Sequence, residues 1–591
     1  MHPRAHAVTP LQAADTTTAN RSSARFGWPG ALYALIALTS CVFAFIGLSS
    51  SSFWADELYT MQVVDHHLGL GEVFRRVLAD VHPPLYDFFL YAWIELAGTR
   101  EWVVRLPSAL LAVLSVAVFA LSTRRRLSAT AIAFACAVAA TSTFWYEQAQ
   151  NARNYGLAIF LSSLLLGTAM QFRQYASERR FPAGTWAWLT LFGIAASQVH
   201  PYMLLTVGVL LLYLLATSPT WPQRVAICVS GALVLGLYIG LLWLMTHTAK
   251  HDFHDTWYSN KPSFFASHLR RAIFHFMSRQ MLLVVVVMLL VRWRQRRSSD
   301  AHADVDAAIG EWTTRLCGVV CVGVIVSGIA VSLLIAPSFS YRNVLVCAPF
   351  GWFLLARLYD AAGPRVGTRA GTMAAAIIVL LLSWPALLLM RGRLLPSNEP
   401  WRASAAYVQG LPGCQGVTLP VITFPGTYGL GMTSGVHTMV EHNYYGYYLP
   451  ASYHPYAYLP DEWIHHAIQS SQAESNGCPV IGWGLHDMST EARALELAKQ
   501  LASQPGFASH QVVVQTFLAY QLGWLRWKPE PNAFVFLRAT PAVLATPASL
   551  PMGTAVDRAH SLGERLLVSF NPSAAPEATY TIRRLSAPLK H

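Results

Sequence analysis

Residues 31–57, ALYALIALTSCVFAFIGLSSSSFWADE, decide the fold. The part up to Ser49 is almost wholly apolar and close to the ~20 residues that a helix needs to cross a bilayer. It then runs through four serines to Trp54-Ala55-Asp56-Glu57, an aromatic and two adjacent carboxylates placed where a spanning helix would leave the membrane. Ten further apolar runs follow, at 103–122, 128–145, 156–170, 184–199, 202–217, 225–246, 279–291, 316–336, 343–358 and 372–390. The composition agrees. Of 591 residues 54% are hydrophobic and only 12% are charged, against about a quarter in a soluble globular protein. Mean hydropathy is +0.37. A disordered chain and a cytosolic enzyme are both excluded. The net charge of +12 comes largely from arginines in short tracts between apolar runs. Positive-inside topology accounts for such tracts better than phosphate-backbone binding does, and no nucleic-acid partner is expected.

Those arginines orient the spans. Arg124 to Arg126, then Arg173, Arg179 and Arg180, then Arg224, then the 292–297 cluster, then Arg357, Arg365 and Arg369 fall on alternate loops. Placing them inside puts the N-terminus in the cytoplasm and leaves 50–102, 146–155, Gln198–Tyr202, 247–278, 337–342 and the region after Met390 outside. Arg270, Arg271, Arg391 and Arg393 run against this assignment. Leu85–Leu96 is too short for a span, carries Asp87 and Glu95, and follows Pro83-Pro84. It reads as an amphipathic helix on the outer membrane surface. From about Pro396 strand and helix signals alternate: helix at 401–409, strands at 417–424, 480–483 and 533–537, helix at 490–504. Cys414 and Cys478 lie in this polar region and can pair if it is extracytoplasmic.

The expected architecture is an α-helical polytopic membrane protein of about eleven transmembrane helices with outer juxtamembrane helices. A small C-terminal α/β extracytoplasmic domain follows. Residues 1–28 read as a disordered cytoplasmic tail, 29–392 as the transmembrane domain with a large first outer loop at 50–102, and 393–591 as the outer domain. The expected location is the inner cell membrane.

Several polar groups interrupt the outer ends of the apolar runs. Asp56 and Glu57 either mark a helix end or serve a wet cleft, where a carboxylate can act as general base. In His82-Pro83-Pro84-Leu85-Tyr86 the diproline fixes a corner from which His82 and Tyr86 project. Gln150, Arg153 and Tyr155 form another outer polar set. Arg153 there calls for an anion, which is Asp56, Glu57 or a ligand phosphate. Tyr341 and Arg342 pose the same question, and His200-Pro201-Tyr202 is a further outer turn. His247, His251 and His254 with Asp252 and Asp255 have a spacing that puts three imidazoles on one helical face. A divalent metal there is the one cofactor the sequence leaves open. The run His442-Asn443-Tyr444-Tyr445-Gly446-Tyr447-Tyr448 offers flat amphipathic faces, for which packing is the simpler reading. No P-loop, dinucleotide fingerprint, HExxH or nucleophile elbow occurs.

Taken in order, these stretches resemble the GT-C membrane glycosyltransferases, in particular the bacterial branch like protein O-mannosyltransferases and lipid A aminoarabinose transferases. The resemblance is carried by the Asp56-Glu57 pair after the first span, HPPLY at 82–86, RLPSAL at 105–110, QAQNARNY at 148–155, YRNVLVCAPF at 341–350 and EPWRASAAYV at 399–408. It covers roughly residues 30–410. Asn343 departs from the family pattern, which often has Tyr after the Arg.

The resemblance implies a polyprenyl-phosphate sugar donor entering from the membrane and a lipid, glycan or protein acceptor approaching from outside. It implies Asp56 as general base in an inverting transfer, with Glu57 orienting a partner. His82, Arg153 and Arg342 would meet the lipid phosphate, and Tyr86, Gln150, Tyr155, His200 and Tyr341 would line the substrate cleft. The alternative is a non-enzymatic lipid-linked-glycan transporter or scaffold. The absence of repeated halves and the clustering of charge at outer helix ends favour the enzyme.

Overall fold

The computed structural model describes residues 27–80, 82–177, 181–249, 258–296, 305–423, 437–472, 477–484, 490–507, 509–545, 549–550, 553–573 and 579–586. All but the last two residues of the expected N-terminal tail, and His251, Asp252, His254 and Asp255 of the histidine cluster, lie outside them.

Eighteen helices precede the first strand: α1 (Trp28–Phe43), α2 (Ala55–Val63), α3 (Leu70–Ala79), α4 (Leu85–Ala97), α5 (Glu101–Thr123), α6 (Ala129–Ala140), α7 (Thr143–Ala149), α8 (Tyr155–Ser177), α9 (Ala183–Ser197), α10 (Pro201–Thr217), α11 (Trp221–Ala249), α12 (Pro262–Phe276), α13 (Arg279–Arg296), α14 (Val305–Leu334), α15 (Tyr341–Val344), α16 (Ala348–Ala362), α17 (Arg369–Gly392) and α18 (Trp401–Gln409). Among the described residues six helices are long and apolar enough to cross a membrane, or up to eight if each of two bent pairs is one span. The chain is therefore a multi-pass membrane protein. All eleven apolar runs are helical. They yield six to eight full-length spans because α1, α9 and α10 have 16, 15 and 17 residues, while α6 and α7 meet at 65° and α12 and α13 at 88°.

Small residues place the centre of the bundle. Helix α6, ATAIAFACAVAA, is buried from Ala131 to Ala140 and packs against α1 and α16. Its short side chains let those neighbours approach closely. The segments expected as outer loops 146–155 and 247–278 are partly helical: α7 extends into the first, and α12 lies in the second.

Between α1 and α5 the chain forms three helices, including α4 where the surface helix was expected. The C-terminal region carries a seven-stranded mixed sheet of β1 (Thr418–Ile422), β2 (His454–Tyr458), β3 (Val480–Gly484), β4 (Gln511–Leu522), β5 (Trp527–Arg538), β6 (Leu562–Phe570) and β7 (Tyr580–Ser586). The order is β2-β1-β3-β5-β4-β6-β7, parallel among the first three and antiparallel beyond. One face carries the helices Pro460–Gln472 and Glu491–Ala502 against Ile422, Val512, Val514 and Phe536. The other, with Val421, Val513, Val535 and Leu537, packs on α18 and on Phe53, Leu58 and Tyr86 of the segment between α1 and α5. Cys414 and Cys478 are disulfide-bonded across 64 residues. Tyr444 and Tyr445 are buried against Trp401, which bears out the packing reading of the tyrosine run.

Candidate active site

Helix α2 carries both carboxylates, and consecutive helical residues point about 100° apart. Glu57 therefore faces inward and has no exposed surface. The guanidinium of Arg105 on α5 donates to it in a fork, Nε to Oε1 at 2.8 Å and Nη2 to Oε2 at 2.6 Å. The remaining Arg105 bonds go to the carbonyls of Leu48, Ser51 and Ser52 at 2.8, 2.8 and 2.9 Å. Glu57 also accepts from the backbone N–H of Ala152 at 2.8 Å and of Trp54 at 3.2 Å. The pair thus clasps the start of α2, the serine loop and the QAQNARNY turn. Placed there, Glu57 has no access to a substrate and is a positioning residue. Arg105 and Glu399 carry this framework and were not singled out in the sequence, although both lie in the stretches RLPSAL and EPWRAS. The Glu399 carboxylate accepts from the N–H of Ala55 at 3.0 Å, capping α2 from beyond the last span. Charge at a helix N-terminus is favourable there.

Asp56 faces the other way. Its side chain is 45% exposed, and Oδ2 lies 3.7 Å from Nη1 of Arg342. That guanidinium stands 4.7 Å over the Trp54 ring and donates to the Tyr341 hydroxyl at 3.1 Å. Tyr341 in turn receives a ring contact from His275 at 4.3 Å.

Behind Asp56 lies a second polar group. Arg153 donates to Thr60 Oγ1 at 2.7 Å and to the Asp56 carbonyl at 3.3 Å, and its other end meets His82 Nε2 at 3.4 Å. His82 Nδ1 is 3.0 Å from Asp80. Burial opposes the Arg153 charge, yet Asp56, Asp80, Tyr155 and Asp87 hold its pKa above the ordinary value. Asp87, buried on α4 with Asp80 nearby, is pushed up to about 8 against the opposing pull of Arg153. His200 caps α10 by accepting from the Tyr202 N–H and packs on Tyr155 at 5.3 Å. Burial, then His82 and Arg153, push His200 well below its usual range.

The structure thus brings Asp56, His82, Arg153, Tyr155, His200, Tyr341 and Arg342 to one region. Tyr86 is buried beneath it. Gln150 donates to the carbonyls of Ala44 and Ile46 at 2.9 and 2.7 Å and also lines the neighbouring cavity. A cavity of 720 Å³ opens beside Trp54 and Arg342, with Asn151, Arg279, Arg393 and Glu399 on its walls. Trp524 and Trp527 of the β4–β5 hairpin also line it. As for metal ligands among the described residues, Asp65, His66 and His67 hold ligand atoms within 4.8 Å of one another in a partly exposed turn.

Residues 81–247 match the model of the family described as dolichyl-phosphate-mannose-protein mannosyltransferase. That segment contains the HPPLY turn, Arg105, the QAQNARNY turn and His200. No curated protein sequence matches the chain. Among solved structures, ArnT from Cupriavidus metallidurans in the apo state is 14% identical over 87% of this chain and 98% of its own, with a TM-score of 0.47. The Archaeoglobus fulgidus oligosaccharyltransferase complexed with zinc and sulfate is 12% identical over 86% and 74%, with a TM-score of 0.41. The Saccharomyces cerevisiae protein O-mannosyltransferase Pmt1-Pmt2 complex bound to its sugar donor is 17% identical over 39% and 36%, with a TM-score of 0.28.

Proposed function

We propose that the protein is a glycosyltransferase that moves a sugar from a polyprenyl-phosphate donor to a cell-envelope acceptor on the outer face of the inner membrane. The observation that carries this reading is the open Asp56–Arg342 pair, 3.7 Å apart, whose Arg342 also lines an arginine-rich cavity. Asp56 stands on a helix held by the buried Glu57–Arg105 fork.

In this reading Asp56 accepts the proton of the acceptor hydroxyl, whose oxygen attacks the anomeric carbon. The bond from that carbon to the phosphate oxygen breaks, and the lipid phosphate leaves with the electron pair. Attack opposite the leaving group inverts the anomeric centre. Arg342 stands beside Asp56, so it meets charge as it develops on the departing phosphate, and a preorganised cation there stabilises it. Arg153, with the His82 ring beside it, places a second cation behind the carboxylate. No residue in this scheme requires a metal. The N-terminus is cytoplasmic, and the sheet domain lies outside with the cavity.

The test is transfer by purified protein in lipid nanodiscs, using a panel of polyprenyl-phosphate sugars and envelope extract as acceptor. Release of free polyprenyl phosphate with one donor, and a product of inverted configuration, is the expected result. A product that retains configuration would rule out the single displacement at Asp56.

A further inference from the structure

Strands β4 and β5 form a long hairpin paired from Val512 with Arg538 to Leu522 with Trp527. Its turn, Gly523-Trp524-Leu525-Arg526, is closed by the Gly523 N–H donating to the Arg526 carbonyl at 3.0 Å. The tip is apolar and uncovered: Trp524 is 66% and Leu525 62% exposed, with Leu522 beside them. Arg526 and Lys528 flank these residues, both exposed, with Glu530 further along the strand. Large apolar groups grouped at a hairpin tip and rimmed by basic residues mark an interaction site.

Trp527 fixes the hairpin to a membrane helix. The Trp527 indole donates to the Leu388 carbonyl near the end of α17 at 2.7 Å. A side chain at Gly392 would stand 2.1 Å from the Trp527 ring, so this close approach depends on glycine. Just below that anchor α17 exposes Leu380, Trp384 and Leu387, spaced four and three residues apart on one face. Beside it, the Arg279 guanidinium at the start of α13 lies 5.2 Å over Phe274 and 5.8 Å over Trp524. Helix α13 then exposes Leu283, Val286 and Leu290. The tip therefore continues the bilayer-facing surface of two membrane helices at the level where those helices end. Indole rings and basic side chains collect at that level in membrane proteins.

We propose that the β4–β5 tip, Leu522 to Arg526, inserts into the phospholipid headgroup layer of the membrane that α13 and α17 enter, so that the outer sheet rests on the bilayer. Trp524 and Leu525 take the apolar side of the interface. Arg279, Arg526 and Lys528 meet lipid phosphates by charge complementarity. Because Trp524 and Trp527 also wall the 720 Å³ cavity, the inserted tip separates that cavity from the surrounding lipid. The placement concerns where the outer sheet sits and stands independently of the transfer reaction.

The test is the immersion depth of a spin label on the full-length protein in nanodiscs of phosphatidylcholine and phosphatidylglycerol. Leu525→Cys is compared with Gln500→Cys, an exposed position of helix Glu491–Ala502 on the opposite sheet face. Parent protein put through the same labelling gives the background from native cysteines. The label at 525 should show a several-fold higher ratio of oxygen to nickel-chelate collisions than the label at 500. Equal ratios would overturn the proposal. Arg526→Cys, one position along the turn, must give the same ordering. It serves as the reading if Leu525→Cys does not fold, and a water-exposed label there would overturn the proposal equally.

Discussion

Two carboxylates adjacent in sequence, Asp56 and Glu57, have opposite surroundings. Glu57 is wholly buried, held by a two-pronged guanidinium and two backbone N–H groups. Asp56 is half exposed and has one loosely placed cation at 3.7 Å. A buried charge needs every one of its partners, because removing one strands the other without water. A half-exposed charge costs little to keep and remains available to a ligand. The difference separates support from chemistry: the locked pair sets the position of α2, and the open pair is the part that can meet substrate.

Mutations that break one pair and spare the other sharpen this contrast. Asp56→Asn should lower transfer by about 10²–10⁴-fold, the range of a lost general base, with the thermal unfolding midpoint in detergent nearly unchanged. Arg105→Met should do the reverse first, destabilising the protein by about 3–5 kcal/mol as Glu57 loses its counter-charge, read as a lower midpoint of thermal unfolding. Arg342→Ala should weaken donor use by about 2 kcal/mol, the scale of a hydrogen bond to a charged group, seen as a raised KM for the lipid donor without a matching loss of stability.

A separate effect concerns pH. Asp87 binds its proton more tightly when folded, with a pKa of about 8 against an ordinary 3.8. The folded state then holds more protons than the unfolded one between those values, so stability falls as pH rises from about 4 to 8 and levels off above. Asp87→Asn should flatten that slope in thermal unfolding measured across the same range. The smallest effect expected is that of chelation: EDTA should leave activity unchanged, and a reversible loss restored by a divalent ion would give the proposed mechanism a missing component.

The membrane character was legible because it rests on bulk apolar runs, which hold wherever the neighbours are. Asp56, His82, Arg153 and Arg342 were legible because polar groups at the ends of apolar helices stand out. The roles within the Asp56–Glu57 pair were harder to read. Which of two neighbours faces inward depends on Arg105, 48 residues further on, and on the phase of a nine-residue helix. Glu399 capping α2 is more remote still, at a separation of 344 residues. In the sheet, β1, β3 and the central part of β5 were visible as apolar runs. Strand β4, QVVVQTFLAYQL, is buried on both faces over much of its length, so it lacks the alternation that marks a half-buried strand. The short helices α1, α9 and α10 show the limit of counting spans by hydropathy: apolar length does not say how much of a run is helix.

The central claim is that the exposed member of the carboxylate pair does the chemistry and the buried member holds it in place. The most direct test is release of polyprenyl phosphate by the purified wild type and by Asp56→Asn, side by side, with the donor that supports the highest wild-type rate. The account predicts release by the wild type and almost none by an Asp56→Asn protein that unfolds at the same temperature. Undiminished release by that variant would contradict it.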